Sequence, residues 1–125
     1  MNKKINSEKL PAAVGPYSQA VEAGNILFCS GTMPIDPVTN VLAGEDIESQ
    51  ARQVMVNIKN LLEDSGYTFD DVVKTTCFLK DMNDFAVFNG IYAEYFTSKP
   101  ARSCVAVKEL PKGAVVEVEL IAVKQ

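Results

Sequence analysis

Apolar positions follow two different periods along this chain, and the switches between them mark its elements. Over residues 45–65, Ile47, Ala51, Val54, Met55, Ile58, Leu61 and Leu62 recur at steps of three and four, which predicts a helix with one apolar stripe. Gly66 stands where a left-handed residue commonly ends a helix. Phe85, Phe88, Tyr92 and Phe96 form a second stripe, predicting a helix that Asn83 caps and that runs to Phe96. Short runs rich in Val, Ile and Thr predict strands at residues 19–23, 26–30, 69–79, 102–108 and 115–123. Gly24-Asn25 suits a hairpin turn between the first two, and Pro111-Lys112-Gly113 a turn between the last two. Residues 33–43, with Pro34, Pro37, Asp36 and Asn40, read as a loop holding a short strand around Val41.

The order is β-β-α-β-α-β-β, with room for extra short strands near the start. This is a two-layer α+β domain, a mixed sheet with two helices packed on one face, and residues 1–125 form that one domain. No repeat or linker interrupts it.

Alternation along the last strands then predicts a functional surface. Val116, Val118, Leu120 and Ala122 share the face that suits the core, leaving Val115, Glu117, Glu119, Ile121 and Val123 on the other. Arg102, Cys104 and Ala106 share one side of the preceding strand. A hairpin between these two strands brings Arg102 opposite Glu119 or one diagonal step away, within about 8 Å between Cβ atoms. The helices cover only one face, so the other, apolar and charged together, is expected to meet copies of itself in a symmetric homo-oligomer. The guanidinium fork of Arg102 matches a carboxylate, or it forms a salt bridge to Glu119 and nothing more. Glu119 is either that ion-pair partner or a proton shuttle tuned by burial. Glu117 reads as a solvated or interface-edge charge, and Cys104 as a packed small residue.

Composition narrows the chemistry. The chain contains no histidine, which excludes Ser-His and Cys-His catalytic devices and His-containing zinc sites. Three cysteines, Cys29, Cys77 and Cys104, lie far apart without a CxxC pair and read as buried free thiols. The net charge is −4 with lysines dispersed, so no basic patch points to nucleic acid. No apolar run reaches the roughly 20 residues of a membrane span, and the first residues lack the apolar core of a secretory signal. A cytoplasmic protein is expected, with no membrane partner.

Several motifs resemble those of one family. They are Gly15-Pro16-Tyr17-Ser18-Gln19-Ala20, Ser30-Gly31, Asp81-Met82-Asn83-Asp84-Phe85, Pro100-Ala101-Arg102-Ser103 and the closing stretch from Val116 to Val123. In this order they resemble the Rid (YjgF) family of reactive-intermediate deaminases over nearly the whole chain. The resemblance implies a chorismate-mutase-like fold and a homotrimer with ligand clefts between subunits. It further implies hydrolysis of 2-aminoacrylate, 2-aminocrotonate and their imines to 2-keto acids and ammonia, without metal or cofactor. Arg102 would bind the substrate carboxylate and Glu119 would position or activate water, with Tyr17, Ser30, Gly31, Asn89 and Cys104 lining the cleft. Thr32, where the family often has Gln, bears on substrate preference. The competing expectation is a non-catalytic trimer that binds 2-keto acids and regulates a partner enzyme; ribonuclease and chaperone roles have also been described for relatives.

Overall fold

A computed structural model describes residues 2–125. Its strands are β1 (Lys3–Ile5), β2 (Ala20–Ala23), β3 (Ile26–Thr32), β4 (Val72–Leu79), β5 (Ala101–Ala106) and β6 (Val116–Val123). Its helices are α1 (Ile47–Ser65) and α2 (Phe85–Tyr95). The strands form one sheet in the order β1-β2-β3-β6-β4-β5, and both helices pack on the same face of it. The expected two-layer α+β architecture is found, with β1 as the additional short strand.

Local chemistry sets the boundaries. Asp46 caps α1, its carboxylate accepting from Ser49 N at 3.0 Å. Gly66 ends the helix at φ +80, and its N–H together with that of Tyr67 satisfies carbonyls of the last turn. Gly24, at φ +63, makes the β2–β3 turn. Two of the boundaries that differ from expectation have a visible local cause. Residues 69–71 form a 3-10 turn rather than the start of a strand, because Thr68 N donates to the Asp71 carboxylate at 2.9 Å and closes the chain on itself. Asn83 does not cap the second helix. It lies in a 3-10 turn whose cap is Asp81, and α2 begins at Phe85. The proposed strand near Val41 reduces to a single bridge between Ile35 and Leu42.

The largest correction concerns the last two strands. They do not form a hairpin. β5 pairs in parallel with β4, and β6 runs antiparallel between β3 and β4. With α2 as the crossover, β4-α2-β5 is a strand-helix-strand unit, which brings successive strands side by side in parallel. The Pro111–Gly113 turn then carries the chain back over β4 to enter the middle of the sheet.

The core lies between the sheet and the helices. Val116, Val118, Leu120 and Ala122 of β6 are all buried there, with Leu27, Cys77 and Leu79 from neighbouring strands and Val54, Met55, Ile58 and Phe88 from the helices. Among the described residues nothing covers the opposite face. Phe28 and Val105 on it are each 46% exposed, as expected of a face that two helices on the far side cannot reach.

Leu27 is fully buried in the centre of this packing. Leu27→Ala should cost about 2–5 kcal/mol of unfolding free energy, read by urea titration, from lost burial and the cavity left behind. Val38→Ala, at a side chain 90% exposed, should change it by less than about 0.5 kcal/mol.

Candidate functional site

The pairing of β4 with both β5 and β6 decides which groups share a face. Thr75 lies opposite Arg102 on one side and Leu120 on the other, so these three point to the helices. Thr76 lies opposite Ser103 and Glu119, which point to the open face. Arg102 and Glu119 of one chain are therefore on opposite faces, and the expected pairing across a hairpin is not found. Cys104, opposite Cys77, is on the helix face with Arg102.

On the helix face, Arg102 is held by α2. Its Nη1 donates to Asn89 Oδ1 at 2.6 Å. The guanidinium carbon sits 4.8 Å from the Tyr92 ring centroid and 5.5 Å from that of Phe85. Tyr92 is itself fixed, its hydroxyl 2.8 Å from Thr75 Oγ1 and its ring stacked on Phe96 at 4.4 Å. Among the described residues no carboxylate comes within salt-bridge distance of Arg102. Its charge is balanced only by ring faces and one amide oxygen, leaving the rest of the fork free for an anion. A groove over Asn89, Gly90, Tyr92 and Pro100 leads to it. Cys104 beside it is an ordinary thiol, because burial raises its pKa although the Arg102 charge acts in the other direction. Cys77 is buried, and its pKa is pushed up to about 12.

The second cluster lies at the far end of β3. The β3–β6 register shifts between Cys29 and Thr32, so Ser30 and Gly31 sit in a bulge. Glu117 folds against Gly31, where a Cβ would overlap its carboxylate; only glycine lets it lie there. Ser30 Oγ donates to Ser18 O at 2.7 Å, tying the bulge to the loop that carries Tyr17. Tyr17, Ser30, Gly31 and Glu117 line one cavity of about 580 Å³, walled by apolar Leu10, Met33, Ile35 and Leu61, with Lys112 at its lining. The Glu117 pKa is raised by burial and then by the negative charge of Glu119. Glu119 is exposed and lines neither hollow.

The residues expected at the site thus fall into two groups, Tyr17-Ser30-Gly31 and Asn89-Arg102-Cys104. The residue undervalued from sequence is Glu117. Alternation puts both glutamates on one face, and only the Gly31 bulge distinguishes the one that enters a cavity. No group of three or more His, Cys, Asp or Glu side chains able to hold a metal occurs among the described residues. No described helix is long and apolar enough to cross a membrane.

Comparison with known proteins agrees with this fold and these motifs. The family described as Endoribonuclease L-PSP matches residues 7–124. A RutC family protein of Pyrococcus horikoshii is 53% identical over 126 residues, with 100% of each chain covered. A protein of Salmonella typhimurium named 2-iminobutanoate/2-iminopropanoate deaminase is 47% identical, again over 100% of both chains. The crystal structure of a Rid family protein from Yersinia pestis superposes with a TM-score of 0.96 at 47% identity, covering 99% of this chain and 100% of that one. A match over almost every residue, in both sequence and backbone, makes this chain a member of the endoribonuclease L-PSP family, to which the Rid (YjgF) proteins belong.

Proposed function

We propose that this protein hydrolyses reactive 2-imino acids, including those formed from 2-aminoacrylate and 2-aminocrotonate, to 2-keto acids and ammonia. The observation that carries this reading is the unpaired Arg102 fork, held face-on by Tyr92 and Phe85 and open to a carboxylate. The activity printed in the name of the Salmonella relative supports the same substrate class.

Each chain carries half of what the reaction needs. Arg102 with Asn89 and Cys104 forms an anion-binding half without an acid. Tyr17, Ser30, Gly31 and Glu117 form a half with a carboxylate but no arginine. In the proposed trimer, the arginine half of one subunit adjoins the glutamate half of its neighbour, and the uncovered sheet faces meet inside the assembly. Of the two glutamates, Glu117 fits the water-activating role better than Glu119, because it alone lines a cavity and is partly withdrawn from water.

The chemistry suits a site without histidine. Arg102 holds the carboxylate with parallel hydrogen bonds, which places C2 of the imine against a water near Glu117. An enamine first takes a proton at C3 to become the imine. The water oxygen then bonds to C2 while the C=N π pair moves to nitrogen, and Glu117 accepts the water proton. The carbinolamine collapses as Glu117 returns that proton to the departing amine; the hydroxyl loses its proton to solvent water, its O–H pair forms the C=O bond, the C–N bond breaks, and the 2-keto acid and ammonia leave. A protonated imine is electrophilic already, so positioning and one modest base suffice. A carboxylate whose pKa is raised by burial is a stronger base than a solvated one.

The reading is tested by adding the protein to a threonine dehydratase reaction and following 2-ketobutyrate release. Arg102→Ala should abolish the acceleration and keto-acid binding while the fold persists, and Arg102→Lys should lose most of both, since a point charge lacks the fork. Undiminished acceleration by Arg102→Ala would rule out this site. Tight keto-acid binding without any acceleration would instead favour a regulatory ligand sensor. Glu117→Gln should lower turnover at least about 100-fold with little change in keto-acid affinity, and Glu119→Gln should be far milder. The acid limb of the pH–rate profile should fall as Glu117 protonates, at a pH above the ordinary glutamate range. Equal losses from the two glutamate variants would contradict the assignment. Sedimentation equilibrium should give three chain masses; a monomer at micromolar concentration would contradict the shared cleft.

A further inference from the structure

We infer that two buried carboxamides of α1, Asn57 and Gln50, are positioning residues that hold one wall of the Glu117 cavity and thereby set how large a substrate side chain it admits. The inference rests on the imine-deaminase reading of that cavity.

The two residues stand seven apart, close to two helical turns, and so share the core-facing side of α1. Their exposure is 0% for Asn57 and 1% for Gln50. Burying a carboxamide is unfavourable unless its donors and acceptor are all engaged, and an apolar residue fills such a position without that demand. Asn57 uses both of its N–H groups and its oxygen, and Gln50 uses one N–H and its oxygen. Asn57 Nδ2 donates to Met33 O at 3.0 Å and Ile35 O at 2.9 Å, while its Oδ1 accepts from Gln53 Nε2 at 3.0 Å. Gln50 Nε2 donates to Gly44 O at 2.9 Å, and its Oε1 accepts from Val115 N at 2.8 Å.

What they grip is residues 33–44. This segment folds back on itself, with Asp36 N donating to Val41 O and Ala43 N to Pro34 O, both at 3.0 Å. Pro34 and Pro37 remove two N–H donors from it, so the segment cannot satisfy its own carbonyls. The carboxamides supply the missing donors at its two ends. Met33 and Ile35, whose carbonyls Asn57 holds, line the same cavity as Glu117. Leu61, one turn further along α1, lines the same space. Gln50 also ties the segment to Val115, two residues before Glu117, so the wall and the glutamate are referenced to one helix.

A wall held by backbone carbonyls acts on the part of a substrate that touches it. Carboxylate capture by arginine and proton transfer by glutamate do not depend on it, whereas the room left for an apolar side chain does. The test uses the full-length protein, calorimetric titration with pyruvate and with 4-methyl-2-oxopentanoate, and amide hydrogen exchange over residues 33–44. Asn57→Leu should melt cooperatively, bind pyruvate within about twofold of wild type, shift the ratio of the two affinities by about fivefold or more, and lose exchange protection in the segment. Gln50→Met reads the other end of the segment by the same two measurements if Asn57→Leu does not fold. Folded variants with an unchanged affinity ratio overturn the proposal, as does wild-type exchange over residues 33–44 as fast as open coil. Failure of the wild type to bind any keto acid would overturn it together with the deaminase reading, whereas binding with an unchanged ratio overturns it alone.

Discussion

The position of β4 is the constraint on which the rest of this structure depends. Lying between β5 and β6, it turns Arg102 toward the helices and Glu117 toward the open face, although each strand alone is compatible with the other arrangement. The parallel β4–β5 pairing follows from α2 serving as the crossover, and the same helix then supplies the rings and the amide that hold the guanidinium. One topological choice thus builds the arginine cluster and separates it from the cavity that Glu117 lines.

The two clusters are built differently. Arg102 is fixed by faces and one strong hydrogen bond: Tyr92 is anchored through Thr75 and stacked on Phe96, so the guanidinium lies on a surface that is itself packed. Glu117 occupies space that the missing side chain of Gly31 leaves open beside the bulged backbone. Burial raises its pKa, and the charge of exposed Glu119 reinforces the effect. Two adjacent acids on one strand face therefore have unlike environments, and the outer one helps tune the inner.

α1 shows how far the structure goes beyond amphipathic pattern. The apolar stripe from Ile47 to Leu62 accounts for its packing on the sheet, and those residues are largely buried. Gln50 and Asn57 lie on the same side but interrupt the stripe chemically, because their partners are carbonyls and an amide of distant segments. Without those partners they read as ordinary polar positions beside a stripe. Buried polar side chains of this kind are where a pattern of apolar periods carries least information.

The sequence alone determined the two helices, most of the strands, the two-layer class and the family motifs, because periodicity, caps and turn residues act over a few neighbours. It also singled out Arg102 as a candidate carboxylate receptor and Tyr17, Ser30, Gly31, Asn89 and Cys104 as residues worth following. Only the tertiary structure decided which strand β5 pairs with, which glutamate enters a cavity and that arginine and glutamate stand on opposite faces of one chain. The physical reason is that strand alternation records two faces without saying which one meets the helices. That choice is made by long-range pairing, here β5 with β4 rather than β6, and it transfers every side chain of the strand together.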